Sequence, residues 1–186
     1  MTVKADDLPL GNLMPARRQL ETAITLYFNG GDPVSTNTLA TSALEIIRNV
    51  NTSRGGSPML SDLEASGVIR PDKIDVARRV FRQAQNFFKH ADKDPEGVLD
   101  FNPDATAGYI LDALEKYREL TGENPPVMRV FALWFRVQWT DLFIFTNGEE
   151  QNFAAVRKFY ASKDKPKFFA DYLPRYMAEA VKSNSN

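Results

Sequence analysis

The sequence predicts an all-α fold, a single-domain bundle of six or seven helices. Three observations predict it. Apolar residues recur at three- and four-residue intervals along most of the chain. No stretch keeps up the apolar–polar alternation that a half-buried strand needs. Prolines fall where helices are expected to start, a position at which the missing N–H costs little.

Taken in order, the first helix is expected from Pro15 to Phe28, with Leu20, Ala23, Ile24 and Tyr27 on its inner face and Asn29-Gly30-Gly31 ending it. Asp32-Pro33 opens the second, about Val34 to Val50, with Leu39, Ala43, Ile46, Ile47 and Val50 inward. Asn51 to Pro58 reads as a polar loop, and Met59 to Ser66 as a short helix stopped by Gly67. Pro71 begins a long third helix to Ala91, with Asp72 near its positive N-terminal end. Asp92 to Asn102 is a turn-rich connection. A fourth helix runs Asp104 to Thr121 and stops at Gly122. Pro125-Pro126 starts an apolar fifth, broken at Asn147-Gly148, and shorter helices follow over Glu149–Ala161 and Lys165–Val181. The whole chain, 1–186, is read as one domain with 1–13 and 182–186 flexible.

Composition narrows the function. With 186 residues, 43% hydrophobic and 25% charged, the chain is globular and long enough to bury a core unaided. Lys+Arg 23 against Asp+Glu 24 leaves a net charge of -1, which excludes a histone-like polyanion binder. Zero cysteines exclude thiol catalysis and thiolate metal sites, and a single histidine excludes any site of several imidazoles. Phosphate-binding glycine loops and the Gly-x-Ser-x-Gly elbow are absent from the sequence. No cofactor is expected. The apolar segment Val127 to Phe145 is interrupted by Arg129, Arg136, Gln138 and Asp141, so it is read as a buried helix and not as a membrane span. A cytoplasmic location is the expectation.

The third helix carries the one site-like pattern. Ile74, Ala77, Val80, Phe81, Ala84, Phe87, Phe88 and Ala91 share one arc and are expected in the core. The opposite arc gathers Asp75, Arg79, Arg82, Gln83, Asn86 and His90. Arg82, Asn86 and His90 are spaced four residues apart, rungs roughly 6 Å apart along the axis. A guanidinium, a carboxamide and the chain's sole imidazole would hold a phosphate or move a proton. An amphipathic surface helix presents the same residue types to water with no further role. Residues 72–90 carry five basic groups against two acidic ones, enough for weak, salt-sensitive RNA contact.

The stretch Gln85-Asn86-Phe87-Phe88-Lys89-His90 resembles the signature of the HEPN superfamily, all-α domains named for nucleotide binding in higher eukaryotes and prokaryotes. Many of its members are metal-independent RNA endonucleases of toxin and defence systems, and others are inactive partner-binding modules. Asn86 and His90 match the signature's polar residue and histidine, while Gln85 stands where its shortest form has arginine. The resemblance therefore implies a non-enzymatic interaction module with a protein partner or a second copy. The alternative is a nuclease in which His90 moves the proton of a 2′-OH attack, Arg82 holds phosphate and Asn86 orients the substrate.

Asp92-Lys93-Asp94-Pro95-Glu96-Gly97-Val98-Leu99-Asp100 echoes a calcium loop, but position 12 is Pro103 where a bidentate glutamate is required, so no metal site is expected. Phe131, Trp134, Phe135, Trp139, Phe143 and Phe145 are expected to pack, with part of that helix left for a dimer face. Ser61 to Glu64 and Lys163 to Lys167 are expected to be solvated surface.

Overall fold

Leu20, Ala23, Ile24 and Tyr27 all turn inward on α1 (Leu13–Phe28), as their spacing requires. The structure, a computed structural model, describes residues 11, 13–62, 67, 69–77, 101–145, 149–160 and 164–183. Asn29 ends α1 by donating its side-chain amide to the Thr25 carbonyl, 2.9 Å. Gly30 follows at φ 68, a left-handed conformation that favours glycine. Asp32 then caps α2 (Pro33–Ser53), its Oδ2 accepting the Ser35 N–H at 2.7 Å, with Pro33 in the first turn.

The packed face of α2 is turned from the expected one. Ala43 and Ile47 are buried, but Leu39, Ile46 and Val50 are only half-buried, and Thr36, Asn37, Ala40, Thr41, Leu44 and Asn51 go inward. Burying Thr36, Asn37 and Thr41 is tolerable because each is paired, Thr36 with the Asp32 carbonyl at 2.8 Å. Thr41 donates to the Asn37 carbonyl at 2.9 Å, and Asn37 Oδ1 accepts from the Thr106 hydroxyl at 3.2 Å. That last bond ties α2 to α3 (Thr106–Thr121), which follows a 3-10 turn opened by Asn102 and Pro103. Gly122, at φ 71, closes α3 by donating its N–H to the Arg118 carbonyl.

Two expectations fail in part. Met59–Asp62 is a turn, not the start of a helix: Asp62 N–H donates to the Met59 carbonyl (3.0 Å) and Asp62 Oδ2 accepts the Met59 N–H (2.9 Å). α4 (Pro126–Gln138) stops well before Asn147. The Thr140 hydroxyl donates back to the Arg136 and Val137 carbonyls, a 3-10 turn covers Thr140–Leu142, and Phe143 becomes extended. Phe143 then pairs with Ile69 in an isolated antiparallel bridge, and the Arg70 N–H donates to the Leu142 carbonyl at 3.0 Å. Beyond Ile69, a 3-10 turn at Pro71–Lys73 leads into helical backbone at 74–77. There Ala77 is buried, Ile74 half-buried and Asp75 exposed, as the two-faced pattern requires.

The chain closes with α5 (Glu149–Arg157) and α6 (Lys165–Ser183). α1 packs on α2, α2 on α3, and α4 is enclosed by α1, α3, α5 and α6. The apolar α4 is therefore covered over most of its surface by its own chain, with Val127 and Leu133 half-buried. Phe28, Trp134 and Phe168, from α1, α4 and α6, meet at ring separations of 5.0–6.4 Å and are fully buried. α6 contains Pro174, which cannot donate to the Ala170 carbonyl; both residues lie on the exposed side, where that carbonyl is open to solvent. The result is a single-domain all-α bundle. Among the described residues no helix is long and apolar enough to cross a membrane.

Candidate functional site

Arg82, Asn86 and His90, together with Gln85 and with Phe81 and Phe88, which were expected in the core, lie outside the described residues. So does the acidic loop from Asp92 to Asp100. What the structure does place is the root of the helix expected to bear them. Ile69 is held against Phe143, and Phe143 lines a cleft of about 700 Å³ between α3, the 57–60 segment and Arg136 of α4.

Asp112 and Lys116, one turn apart on α3, form the floor of this cleft. The Asp112 side chain is fully buried, and its Oδ1 accepts the Leu60 N–H at 2.8 Å. Its Oδ2 has no hydrogen-bond partner, for the Arg48 guanidinium stands 3.9 Å away. Burial pushes the Asp112 carboxyl above the usual carboxylate range, against the opposing pull of Ser61, Arg48 and the Leu60 amide. Lys116 is 4% exposed and spends its ammonium protons inside the chain. It donates to the Ser57 and Pro58 carbonyls at 3.1 and 3.0 Å, to Ser57 Oγ at 2.7 Å and to Glu119 Oε2 at 2.7 Å. That pairing holds the Glu119 carboxyl below its ordinary range, with the Ser57 hydroxyl adding to the effect.

The remaining charges of the cleft are likewise matched. Glu115 receives Arg136 on one oxygen and Arg118 on the other, both at 2.6 Å. The 57–60 segment is fixed further by Asn51, which donates to the Ser57 carbonyl at 2.9 Å and leaves no room for a side chain at Gly56. Chemically, this set is a grip on backbone: a carboxylate takes an N–H and an ammonium takes two carbonyls. It fixes the 57–60 segment against α3.

Sequence reasoning missed Asp112 and Lys116. Both sit on a helix whose residues from Thr106 to Leu114 are all buried, so a two-faced reading consigns its charges to solvent. Their four-residue spacing was the available signal. The Ser61–Glu64 segment, expected as bare surface, in fact begins with Ser61 accepting a hydrogen bond from Arg48 at 3.2 Å. Lys165, expected in a solvated run, is largely covered instead. Among the described residues no cluster of three or more His, Asp or Glu could hold a metal ion. No protein-family model, curated protein or solved structure matches the chain.

Proposed function

We propose that the chain is a non-enzymatic, HEPN-like interaction module that pairs with a second copy of itself through α6. The observation that carries this is an exposed apolar stripe on that helix. Met177 and Val181, spaced i, i+4, are 55% and 67% exposed, and Ala170, Pro174 and Ala178 extend the same face. An uncharged, continuous stripe is self-complementary across a two-fold axis. Apolar patches on an otherwise polar surface mark association sites. Two further features support the reading: Gln85 lacks the charge and fork of arginine, and the charged groups of the Asp112 cleft are engaged in holding the chain's own backbone.

The test is sedimentation velocity across a concentration series, comparing the wild type with Met177→Glu and Val181→Glu. The expected result is a reversible dimer that either substitution weakens more than about tenfold, by placing a charge in an apolar contact, with an unchanged unfolding midpoint. A wild type that stays monomeric throughout the series, or a dimer indifferent to both substitutions, would overturn the reading. The alternative reading as an RNA endonuclease rests on Asn86 and His90, which match the signature.

A further inference from the structure

A second cleft lies on another side of α4, between that helix, the end of α1, the 3-10 turn before α3, the end of α5 and the start of α6. It has a volume of about 320 Å³ and four aromatic walls, Tyr27, Trp134, Trp139 and Tyr160. Two buried polar atoms of those walls, Tyr27 Oη and Trp134 Nε1, close no well-formed hydrogen bond, the indole N–H giving the phenol oxygen only a weak pull. Each is a donor, and an unmatched buried donor is costly for a fold to keep. Burial also drives the Tyr27 phenol well above its ordinary range, so it stays protonated and able to donate.

The charged lining is cationic on balance. Lys165 sits 3.9 Å from the Tyr27 ring centre and pairs with Asp104 at 3.0 Å. Among the described residues Arg157 has only Asp141 at 4.0 Å, beyond hydrogen-bond distance, and its planar fork suits an entering carboxylate. Gln138 donates to the Tyr160 carbonyl at 3.2 Å, which fixes the wall on which Tyr160 stands.

We propose that this cleft binds a small aromatic carboxylate. The carboxylate takes the Arg157 fork and the Lys165 ammonium, its oxygens reach toward the donors on Tyr27 and Trp134, and its ring lies between Trp139 and Tyr160. The volume falls at the small end of ligand pockets, which suits a single ring and excludes larger cofactors. This inference is independent of pairing through α6, whose exposed stripe is on the opposite face of that helix from Phe168 and Tyr172.

Both tryptophans of the chain line the cleft, so intrinsic fluorescence reads it directly. The probe is 4-fluorobenzoate, followed by tryptophan emission and by fluorine NMR, with 4-fluorobenzamide as its uncharged counterpart. Saturable binding of the acid is expected, with the amide weaker by about tenfold or more, the usual worth of a charge-assisted hydrogen bond. Arg157→Gln and Lys165→Gln should each weaken the acid by a similar factor. Arg157 is half exposed, so its substitution leaves the fold intact, which an unchanged unfolding midpoint verifies. Emission changes that fail to saturate, equal affinity for acid and amide, or binding unaffected by Arg157→Gln would each overturn the proposal.

Discussion

Asp112 and Lys116, one turn apart on α3, hold a single loop by its opposite polarities: the carboxylate accepts the Leu60 N–H and the ammonium donates to the Ser57 and Pro58 carbonyls. Asn51 shares the Ser57 carbonyl, while the Leu60 N–H and the Pro58 carbonyl rest on Asp112 and Lys116. Lys116→Met would keep the stem and remove the donors, leaving the Pro58 carbonyl without its partner and the Ser57 carbonyl with Asn51 alone. A loss of about 1–3 kcal/mol in urea unfolding is expected, the cost of leaving buried polar groups unmade. A loss below about 0.5 kcal/mol would show that the loop does not depend on this grip.

The charge on Asp112 is separable from its hydrogen bond. Asp112→Asn retains an acceptor for the Leu60 N–H and removes the cost of a buried anion, whereas Asp112→Ala removes the acceptor as well. Because the folded carboxyl titrates above its unfolded value of roughly 3.9, the unfolded chain ionises first as pH rises. Below that value both states are protonated and the group is neutral to stability. Through the window above it, folding of the wild type weakens relative to Asp112→Asn, and beyond the folded pKa the difference is constant. Urea titrations of both proteins from acid to neutral pH should show their stabilities diverging in that direction. Parallel curves would refute the assignment.

Trp134 joins α1 and α6 through Phe28 and Phe168 and is fully buried. Trp134→Ala should cost about 3–5 kcal/mol, as large aromatic deletions in packed cores do. A loss under about 1 kcal/mol would mean that the three helices are joined elsewhere.

Gly122 offers a test of backbone alone. Nothing lies within 4 Å of the position a β-carbon would take, so Gly122→Ala meets no steric neighbour and is penalised only for its φ of 71. The expected loss is roughly 1–2 kcal/mol.

For the polar stripe, purified protein incubated with mixed RNA in a chelator should show no cleavage that depends on His90. If the stripe were a nuclease site, His90→Ala would lower cleavage by roughly 10²–10⁴-fold, the contribution of an acid–base group. Such a loss would make the endonuclease the better reading.

How much of this was legible in the sequence differs element by element. α1 was read almost to the residue, because Leu20, Ala23, Ile24 and Tyr27 form a clean apolar face and Asn29-Gly30 a strong stop. The turned face of α2 escaped notice because Asn37 and Thr41 are buried by virtue of Thr106, a partner distant in sequence. The early end of α4 was hidden for a related reason. Apolar residues continue through Phe145, and only the Thr140 hydroxyl and the pairing with Ile69 end the helix. The Asp112 cleft could not be read from periodicity, since its residues are charges on a helix that packs nearly all round. For the stripe of Arg82, Asn86 and His90, the described residues reach only its root at 69–77, where the expected inward and outward positions hold.

The contact between Ile69 and Phe143 also sets an order of events. α1 and α2 are joined by a short link and pair locally, so they can form early in folding. The Ile69 bridge joins points separated by the whole of α3 and α4, and closing so long a loop is repaid only once the intervening helices have packed. The Arg70 amide, which donates across that bridge, is therefore a late arrival. The helical turn at 74–77 takes its bearing from this bridge between distant points of the chain, so a mutation that slows packing of α4 is expected to delay its docking as well.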